Sequence, residues 1–410
     1  MSASEYRVRA VHCDHRASDE ELYRALQRAT APLDRAWRQL ERARRIVVKF
    51  NQAWPAGKRV YHQGHLQELV SEQVARATLR LLRERTRGEI VCIEISAFDR
   101  RHRGADPRQA MTLMPLLNEF GVSFLDGDEP PHRVYAVPGG GGMFGRYLLP
   151  EGAMAGDAFV SVQKMKSHLF AGVTLCMKNL FGLVPQEPHG RSRGYFHHLV
   201  RLPYVLADLG RLFAPALSIV DGLVAQSGRE WGGEARVCDT LVAGDQVVAT
   251  DACATVLMGH DPAADWPLPP FHRERNALRV AAEAGFGTVS LEQIDFQSEV
   301  AAPVAQFATV ATDPLETVVR WRRSACEQAL YYRDHRSQFL ERYAGQYILL
   351  QDRVVRWHGR QSDLDESRRV LAGARADSAL WFKLVDPEET EEERFEVYER
   401  TVQQIAALGL

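Results

Sequence analysis

The first third of the chain alternates short apolar runs with longer amphipathic segments. The runs Ile46–Asn51, Ile90–Ile95 and Val122–Leu125 are short and rich in apolar residues, which is typical of buried strands. The segments between them, His62–Arg85 and Pro107–Phe120, have the length and spacing of helices. Strands that alternate with helices pair in parallel, because each helix returns the chain to the same edge of the sheet. The alternation therefore predicts an α/β fold with a mainly parallel, doubly wound sheet.

The rest of the chain divides around this α/β region. Residues 1–45 contain a capping box at Ser18 and two helical patterns, which predict an N-terminal helical extension. We expect the α/β region to occupy 46–300, with two lobes that meet at a cleft near residue 150. Residues 301–343 have a helical pattern and are predicted to be a linker. The pattern of 344–410 predicts a small α+β module.

The segment from Gln163 to Pro185 concentrates positive charge among apolar residues. It contains Lys164, Lys166, His168, Lys178 and Asn179. No acidic residue occurs between Asp157 and Glu187, so these charges need a ligand or a partner that is distant in sequence. Open α/β sheets bind their ligands at the carboxyl ends of strands, and this segment follows a strand-like run. It therefore predicts an anion-binding cleft, with a basic surface loop as the alternative.

Lysine and histidine side chains together can supply acid–base and electrostatic chemistry. An imidazole titrates near neutral pH, and clustered ammonium groups stabilise negative charge and lower one another's pKa. We therefore predict that His168, Lys166 and Lys178 are catalytic. Lys164 lies two residues before Lys166, so in an extended segment both would face the same side. Thr174 lies four residues before Lys178, which would place both on one face of a helix.

The same segment resembles a known family signature. The pattern is K-x-K-[ST]-H, four residues, then V-T-x-x-x-K-N-x-x-G, and it resembles that of the family catalogued as domain of unknown function 362. It is carried here by Lys164, Lys166, Ser167, His168, Val173, Thr174, Lys178, Asn179 and Gly182. The resemblance extends from about residue 46 to about residue 296. It implies no particular activity, although many members carry an appended ferredoxin-like segment and are labelled iron–sulfur proteins.

The resemblance also indicates residues outside the central segment. Lys49 and Asn51 match a K-x-N of the family, although Phe50 replaces the usual proline. Asp221 begins a D-G pair and Asp251 stands in an A-x-D-A pattern, both at family positions. The segment Ser227–Gly232, which follows the D-G pair, departs from the G-x-G-P loop that is usual in the family. We predict that the substrate is bound by Lys49, Asn51, Lys164, Thr174, Asn179, Arg191, Asp221 and Asp251. For Asp251, capping or pairing with a lysine of the cleft is an equal alternative.

Composition argues against several classes of protein. A net charge of -2 argues against a general nucleic-acid surface. There is no run of 18 apolar residues and no apolar leader, so we expect no membrane contact and predict a cytoplasmic location. The six cysteines include no C-x-x-C pair, so no iron–sulfur cluster and no metal site is predicted for this chain. Three histidines in the loop Gln186–His198, which include His197, leave three alternatives there: a solvated loop, residues for anion binding or proton transfer, and a metal site.

Three functions of different classes fit these features. The first is an enzyme that acts on a small phosphate- or carboxylate-bearing substrate by acid–base chemistry, with an unknown cofactor. The second is a redox or metal-handling accessory protein like the iron–sulfur relatives, and the third is a non-catalytic binder of an anionic metabolite or peptide. The expected partner is a small anionic molecule. The last segment resembles a β-β-α-β module of another uncharacterised family, and we expect it to serve packing or homo-oligomerisation.

Overall fold

The computed structural model describes residues 6–52, 59–95, 108, 111–185, 195–308, 311–359 and 380–409. Its strands are β1 (Tyr6–His12), β2 (Arg45–Phe50), β3 (Tyr61–His62), β4 (His65–Leu66), β5 (Glu89–Glu94), β6 (Ser123–Asp126), β7 (His132–Ala136), β8 (Arg146–Pro150), β9 (Ala158–His168), β10 (Gly172–Thr174), β11 (Leu217–Ser227), β12 (Glu234–Gly244), β13 (Ile294–Ser298), β14 (Tyr347–Gln351), β15 (Val354–Gly359) and β16 (Trp381–Leu384). Its helices are α1 (Asp19–Thr30), α2 (Asp34–Arg42), α3 (Glu72–Arg85), α4 (Met114–Glu119), α5 (Glu151–Met154), α6 (Cys176–Asn179), α7 (Arg201–Phe213), α8 (Val247–Leu257), α9 (Ala277–Glu283), α10 (Leu315–Asp334), α11 (Arg336–Tyr343) and α12 (Glu396–Ala407). Among these helices none is both long and apolar enough to cross a membrane.

One large sheet forms the centre of the molecule. Its strands lie in the order β13-β1-β12-β11-β9-β2-β5-β6, and β10 pairs with the end of β9. All neighbouring strands are parallel except in the pairs that involve β12 or β10. The predicted α/β fold with a mainly parallel sheet is therefore confirmed. The sheet is continuous and contains strands from both sides of residue 150, where the sequence predicts a division into lobes.

Helices cover both faces of this sheet. Along β9, Val160 and Val162 pack into a core that includes residues of α1, α2 and α3. Phe159 and Met165 pack into a second core, with residues of α6, α7 and α8. A strand with apolar residues on both faces is expected where a parallel sheet is covered on both sides. The arrangement is that of a doubly wound fold, which places ligand chemistry at the carboxyl edge of the strands.

The N-terminal segment differs from the predicted helical extension. The capping box at Ser18 is present, since Glu21 donates its backbone N–H to Ser18 and its carboxylate accepts from the Ser18 backbone N–H. The segment also supplies β1, which pairs with β12 and β13 inside the central sheet. Arg9 sits in this strand because Asp295 neutralises its guanidinium, with Nη2 2.7 Å from the carboxylate. Residues 6–45 are thus part of the main fold.

The C-terminal segment forms the expected small α+β unit. Strand β14 lies between β15 and β16 in an antiparallel sheet, and α12 packs against α10. Ile348 and Trp381 belong to the same buried cluster as Phe144 and Tyr195 of the main fold. The helix predicted from about Leu364 lies outside the described residues. The C-terminal unit therefore shares a core with the α/β region.

Candidate functional site

A pocket of about 120 Å³ opens at the carboxyl ends of the parallel strands β2, β5 and β9. Seven of the residues that sequence analysis predicts for the site line it: Lys49, Asn51, Lys166, His168, Thr174, Lys178 and Asn179. This position, at the strand ends of a doubly wound sheet, is where such folds place their ligands. The pocket is therefore our candidate site.

A hairpin followed by one helical turn explains the spacing of the central motif. Strand β9 turns back into β10, so that His168 pairs with Gly172 and Lys166 pairs with Thr174. Gly172 has a φ of 74°, a conformation that glycine adopts without strain. Helix α6 follows directly and presents Lys178 at the pocket. Thr174 thus lies in a strand rather than on a helical face with Lys178, yet both residues reach the same pocket.

Lys49 is held by a buried ion pair. Its Nζ lies 2.6 Å from Glu94 Oε1, and the two side chains are only 2% and 3% exposed. The Glu94 carboxylate also accepts hydrogen bonds from the backbone N–H groups of Gln52 and Ile95, at 3.1 and 3.0 Å. A Cβ at Gly182 would lie 2.9 Å from Lys49 Cε, so the glycine of the motif leaves room for this lysine. Glu94 is therefore the fixed counter-charge of Lys49.

The other two lysines of the pocket contact aromatic rings. Lys166 Nζ donates to the backbone carbonyl of Glu68 at 2.8 Å and lies 4.1 Å from the centre of a Trp231 ring. Lys178 Nζ lies 4.6 Å from the centre of the Phe181 ring. The face of an aromatic ring attracts a cation and holds it in position without cancelling its charge. Both ammonium groups are therefore oriented on the pocket wall.

The hydrogen bonds of His168 indicate its protonation state. Its Nδ1 accepts from the backbone N–H groups of Phe170 and Ala171, at 3.0 and 3.1 Å. A nitrogen that accepts two hydrogen bonds carries no proton, so the neutral imidazole has its proton on Nε2. Glu230 lies nearby, with Oε2 3.9 Å from Nδ1. This arrangement makes His168 a hydrogen-bond donor through Nε2.

The two asparagines of the site have different environments. Asn179 Nδ2 lies within 3.0 to 3.2 Å of Ser161 Oγ and the backbone carbonyls of Lys49 and Val162, so it joins the ends of β2 and β9. The Oδ1 atom of Asn51 is buried and has no hydrogen-bond partner among the described residues. A buried acceptor without a partner is costly, and a donor from a bound ligand would satisfy it. Asn51 is thus a candidate ligand contact, whereas the amide of Asn179 is used in contacts within the protein.

Lys164 and Asp221 do not line the pocket, which corrects the prediction. The two residues are directly opposite in the parallel pair of β9 and β11. Lys164 Nζ lies 2.8 Å from Asp221 Oδ2, and both side chains are fully buried. Ser71 also donates to the same carboxylate oxygen, through its backbone N–H and its hydroxyl. Burial lowers the pKa of Lys164, against the opposing effect of Asp221, and the pair is neutralised within the sheet.

Asp251 also lies away from the pocket, and it caps a helix. Its carboxylate accepts from the backbone N–H groups of Cys176 and Met177, at 3.0 and 2.7 Å, at the start of α6. Burial raises the pKa of Asp251 to about 7. The predicted substrate contact is therefore wrong for this residue, and the capping alternative describes its observed contacts. Arg191 lies outside the described residues.

Sequence analysis missed several residues of the pocket wall. Glu230 and Trp231 lie in the segment that departs from the family pattern, so the motif gave no signal for them. His197, by contrast, belongs to the histidine-containing loop that the sequence analysis singles out; it also lines the pocket, and its ring centre is 5.6 Å from that of His168. The three lysines of the wall were predicted, and their placement is notable in this composition. Among the described residues, three of the five lysines line the pocket, in a chain that has six lysines against 45 arginines.

Another polar cluster lies away from the pocket. Among the described residues, Asp14, His15 and Asp239 are close enough together to hold a metal ion. Both ring nitrogens of His15 are already in hydrogen-bond contact, Nδ1 with Asp239 at 2.8 Å and Nε2 with Gln63 at 2.9 Å. Asp14 is bonded to Arg16 through both carboxylate oxygens. These contacts describe a tether between β12 and the β3–β4 hairpin.

Comparison with known proteins identifies the family. A thylakoid-associated protein of Synechocystis sp. is 32% identical over 126 residues, which cover 29% of this chain and 38% of that protein, so the match spans well under half of its length. The lactate racemase apoprotein of Thermoanaerobacterium thermosaccharolyticum is 16% identical, with a TM-score of 0.32 over 54% of this chain and 51% of that one. The family model for domain of unknown function 362 matches residues 46–256. Because this match covers just over half of the chain, the protein belongs to the family described as domain of unknown function 362.

Proposed function

We propose that the protein is an enzyme that binds a small phosphate- or carboxylate-bearing substrate in this pocket and moves a proton on it. The observation that supports this most is the placement of lysine in an arginine-rich chain. Among the described residues, three of the five lysines line this pocket and no arginine does, although the whole chain has 45 arginines against six lysines. Arginine stays protonated, whereas a lysine amine can lose its proton when its surroundings lower its pKa. A site that needed only positive charge could use arginine, so the use of lysine favours a site in which an amine releases its proton.

The charges of the pocket wall favour an anion. The described wall contains three ammonium groups, from Lys49, Lys166 and Lys178, and two carboxylates, from Glu94 and Glu230. The difference is one positive charge when His168 and His197 are both neutral. A carboxylate or phosphate group would complete this balance, because opposite charges attract more strongly in a partly buried pocket than in water.

The geometry assigns different roles to the imidazole and the amines. His168 has its proton on Nε2, so it would donate a hydrogen bond to negative charge that develops on the substrate. The proton acceptor would be the amine of Lys166 or Lys178, in the fraction of molecules in which that amine is unprotonated. Lys49, paired with Glu94, would bind the anionic group.

Arginine substitution separates this proposal from simple anion binding. Lys178→Arg keeps the positive charge but removes an amine that can lose its proton. We expect it to retain most of the increase in melting temperature that phosphate or sulfate gives the wild type. Turnover of small anionic substrates should be abolished by this variant or by Lys166→Arg, whichever replaces the proton acceptor. Lys178→Ala should lose both. Arg24→Ala, which removes one exposed charge from α1, is the matched control and should lose neither.

Two outcomes would contradict the proposal. If Lys178→Arg and Lys166→Arg both turn substrate over at the wild-type rate, neither amine moves a proton. If the wild type binds anions but converts none of a broad panel of phosphates and carboxylates, the protein is a binder. Both variants keep the pocket's net charge, so a general loss of binding would not explain a loss of turnover.

A further inference from the structure

His197 is a second imidazole of the pocket, and it stands in a short turn before helix α7. Its ring centre lies 5.0 Å from that of Phe170 and 5.7 Å from that of Phe181. The turn continues through Val200, where the backbone adopts a φ of 73°. A β-branched residue rarely takes this conformation, so the surrounding structure must hold it there.

Two buried carboxylates hold the turn. Glu274 accepts the backbone N–H of Val200 with both oxygens, at 2.9 and 3.1 Å, and pairs with Arg322 at 2.6 Å. The next residue, Arg201, is fully buried, and its Nη2 lies 2.7 Å from Glu393 Oε1. Both carboxylates come from chain segments far from the turn. The strained backbone is thus held from two sides.

Arg201 also closes the turn on itself. Its Nη1 donates to the backbone carbonyl of Tyr195 at 3.1 Å, so the guanidinium connects the first residue of the turn to Glu393. The Tyr195 hydroxyl donates to Glu391 at 2.7 Å. Both ends of the turn that carries His197 are therefore bound to glutamates of the C-terminal segment.

Glu393 is suited to this task because two cations and a hydroxyl surround it. Lys383 Nζ lies 2.9 Å from its Oε2, and the Tyr398 hydroxyl donates to its Oε1 at 2.6 Å. Burial would raise the pKa of Glu393, but Arg201 and Lys383 hold it below its ordinary value. The carboxylate therefore stays ionised and keeps Arg201 in place.

We propose that the C-terminal unit positions His197 in the pocket, with Glu393 as the positioning residue that acts through Arg201 and the turn at Val200. The unit then has a role in the site beyond packing. The placement of His197 stands on the contacts above, and its effect on the bound anion rests on the proposed function. The two parts have separate measurements.

The test uses the full chain and compares two glutamine variants. Glu393→Gln removes the charge that faces Arg201, whereas Glu389→Gln removes a charge that faces the same Lys383 but has Arg336 as its other cation. The side-chain resonance of His197, assigned with His197→Gln, reports its surroundings without any ligand. Titration with inorganic phosphate reports the site.

We expect Glu393→Gln to shift or broaden the His197 resonance and to weaken phosphate binding about tenfold, and Glu389→Gln to do neither. Tyr398→Phe, which removes the hydroxyl that donates to Glu393 and accepts from Arg201 Nε, carries the same test if Glu393→Gln does not fold, and it should also move the His197 resonance. An unchanged His197 resonance in folded Glu393→Gln or Tyr398→Phe would overturn the proposal. Equal shifts in Glu389→Gln and Glu393→Gln would overturn it too, since they would indicate general loosening. If the His197 resonance shifts in Glu393→Gln but the wild type itself binds no phosphate, the positioning is supported and phosphate binding in the proposed function is refuted.

Discussion

At the scale of single residues, whether a buried lysine reaches the pocket depends on the carboxylate beside it as well as on its place in the strand. The motif predicts that Lys164 and Lys166 share one pocket, because they are two residues apart in a strand. Only Lys166 lines it, since Asp221 stands opposite Lys164 in the neighbouring strand. The register of two strands that are more than 50 residues apart decides this, and local sequence does not contain it. The motif predicts His168 and Thr174 as pocket residues, but the hairpin that brings them there is not predicted.

The ion pair between Lys49 and Glu94 gives the first prediction. Lys49→Met leaves the Glu94 charge buried and unpaired, which should cost about 3–5 kcal/mol of unfolding free energy. Lys49→Met combined with Glu94→Leu removes both charges and should cost less than the single change. Urea unfolding of the three proteins measures this difference. A double variant that is less stable than Lys49→Met would show that the carboxylate, with its two backbone hydrogen bonds, matters more than the pairing.

At the scale of elements, strands and long helices follow from the sequence better than short turns do. The alternation of apolar runs and helical patterns predicts β2 and β5, because each buries its own periodic pattern. It predicts α3 with the correct end but starts it too early, since β3 and β4 lie in the first part of the expected helix His62–Arg85. The expected helix after Val173 is instead β10 followed by the single turn α6. A single turn has little helical preference of its own. Asp251 stabilises this turn, because its carboxylate accepts hydrogen bonds from the first backbone N–H groups of α6. Asp251 itself lies in a helix about 75 residues away.

This cap predicts a specific pH dependence. The pKa of Asp251 rises from 3.8 to about 7 on burial, so the folded protein binds this proton more tightly than the unfolded chain does. The stability that this proton contributes is fully present below about pH 3.8 and is lost as the pH rises through about 7. Each unit of difference in pKa corresponds to about 1.4 kcal/mol. We expect Asp251→Asn, which cannot ionise, to reduce the fall in unfolding free energy between pH 5 and pH 8.

Urea unfolding at these two pH values checks this expectation. Asp208 is a suitable control, because burial also raises its pKa, to about 6, and it caps the loop 142–144 instead of α6. The part of the fall in unfolding free energy that Asp208 contributes should remain in Asp251→Asn. If the fall in stability is the same in Asp251→Asn and the wild type, the carboxylate of Asp251 does not carry it.

At the scale of the whole molecule, segments that the sequence predicts as separate parts belong to one fold. The first 45 residues contribute β1 to the central sheet, and the C-terminal unit buries Trp381 in the main core. Composition and pattern within each segment cannot show this, because the contacts join residues far apart in the chain. Arg201 illustrates the point: it is fully buried only because Glu393, 192 residues later, neutralises it.

The shared core predicts that the chain unfolds as one unit. Removal of residues 344–410 would expose Arg201 and the apolar surface around Phe144 and Tyr195, so the remaining fragment should not fold cooperatively. Calorimetry of the full chain should show a single transition. Two separate transitions, or a fragment 1–343 with a sharp melting curve, would show that the C-terminal unit is an independent domain.

The central claim is that the pocket at the ends of β2, β5 and β9 binds a small anion. Selenate, a mimic of sulfate, can be located in soaked crystals by its anomalous scattering. We predict a selenium peak inside the pocket, at a position where selenate oxygens lie within hydrogen-bond distance of the Lys166 or Lys178 amine. We predict no such peak in crystals of Lys178→Ala. Peaks confined to surface arginines, with none in the pocket of the wild type, would contradict the claim.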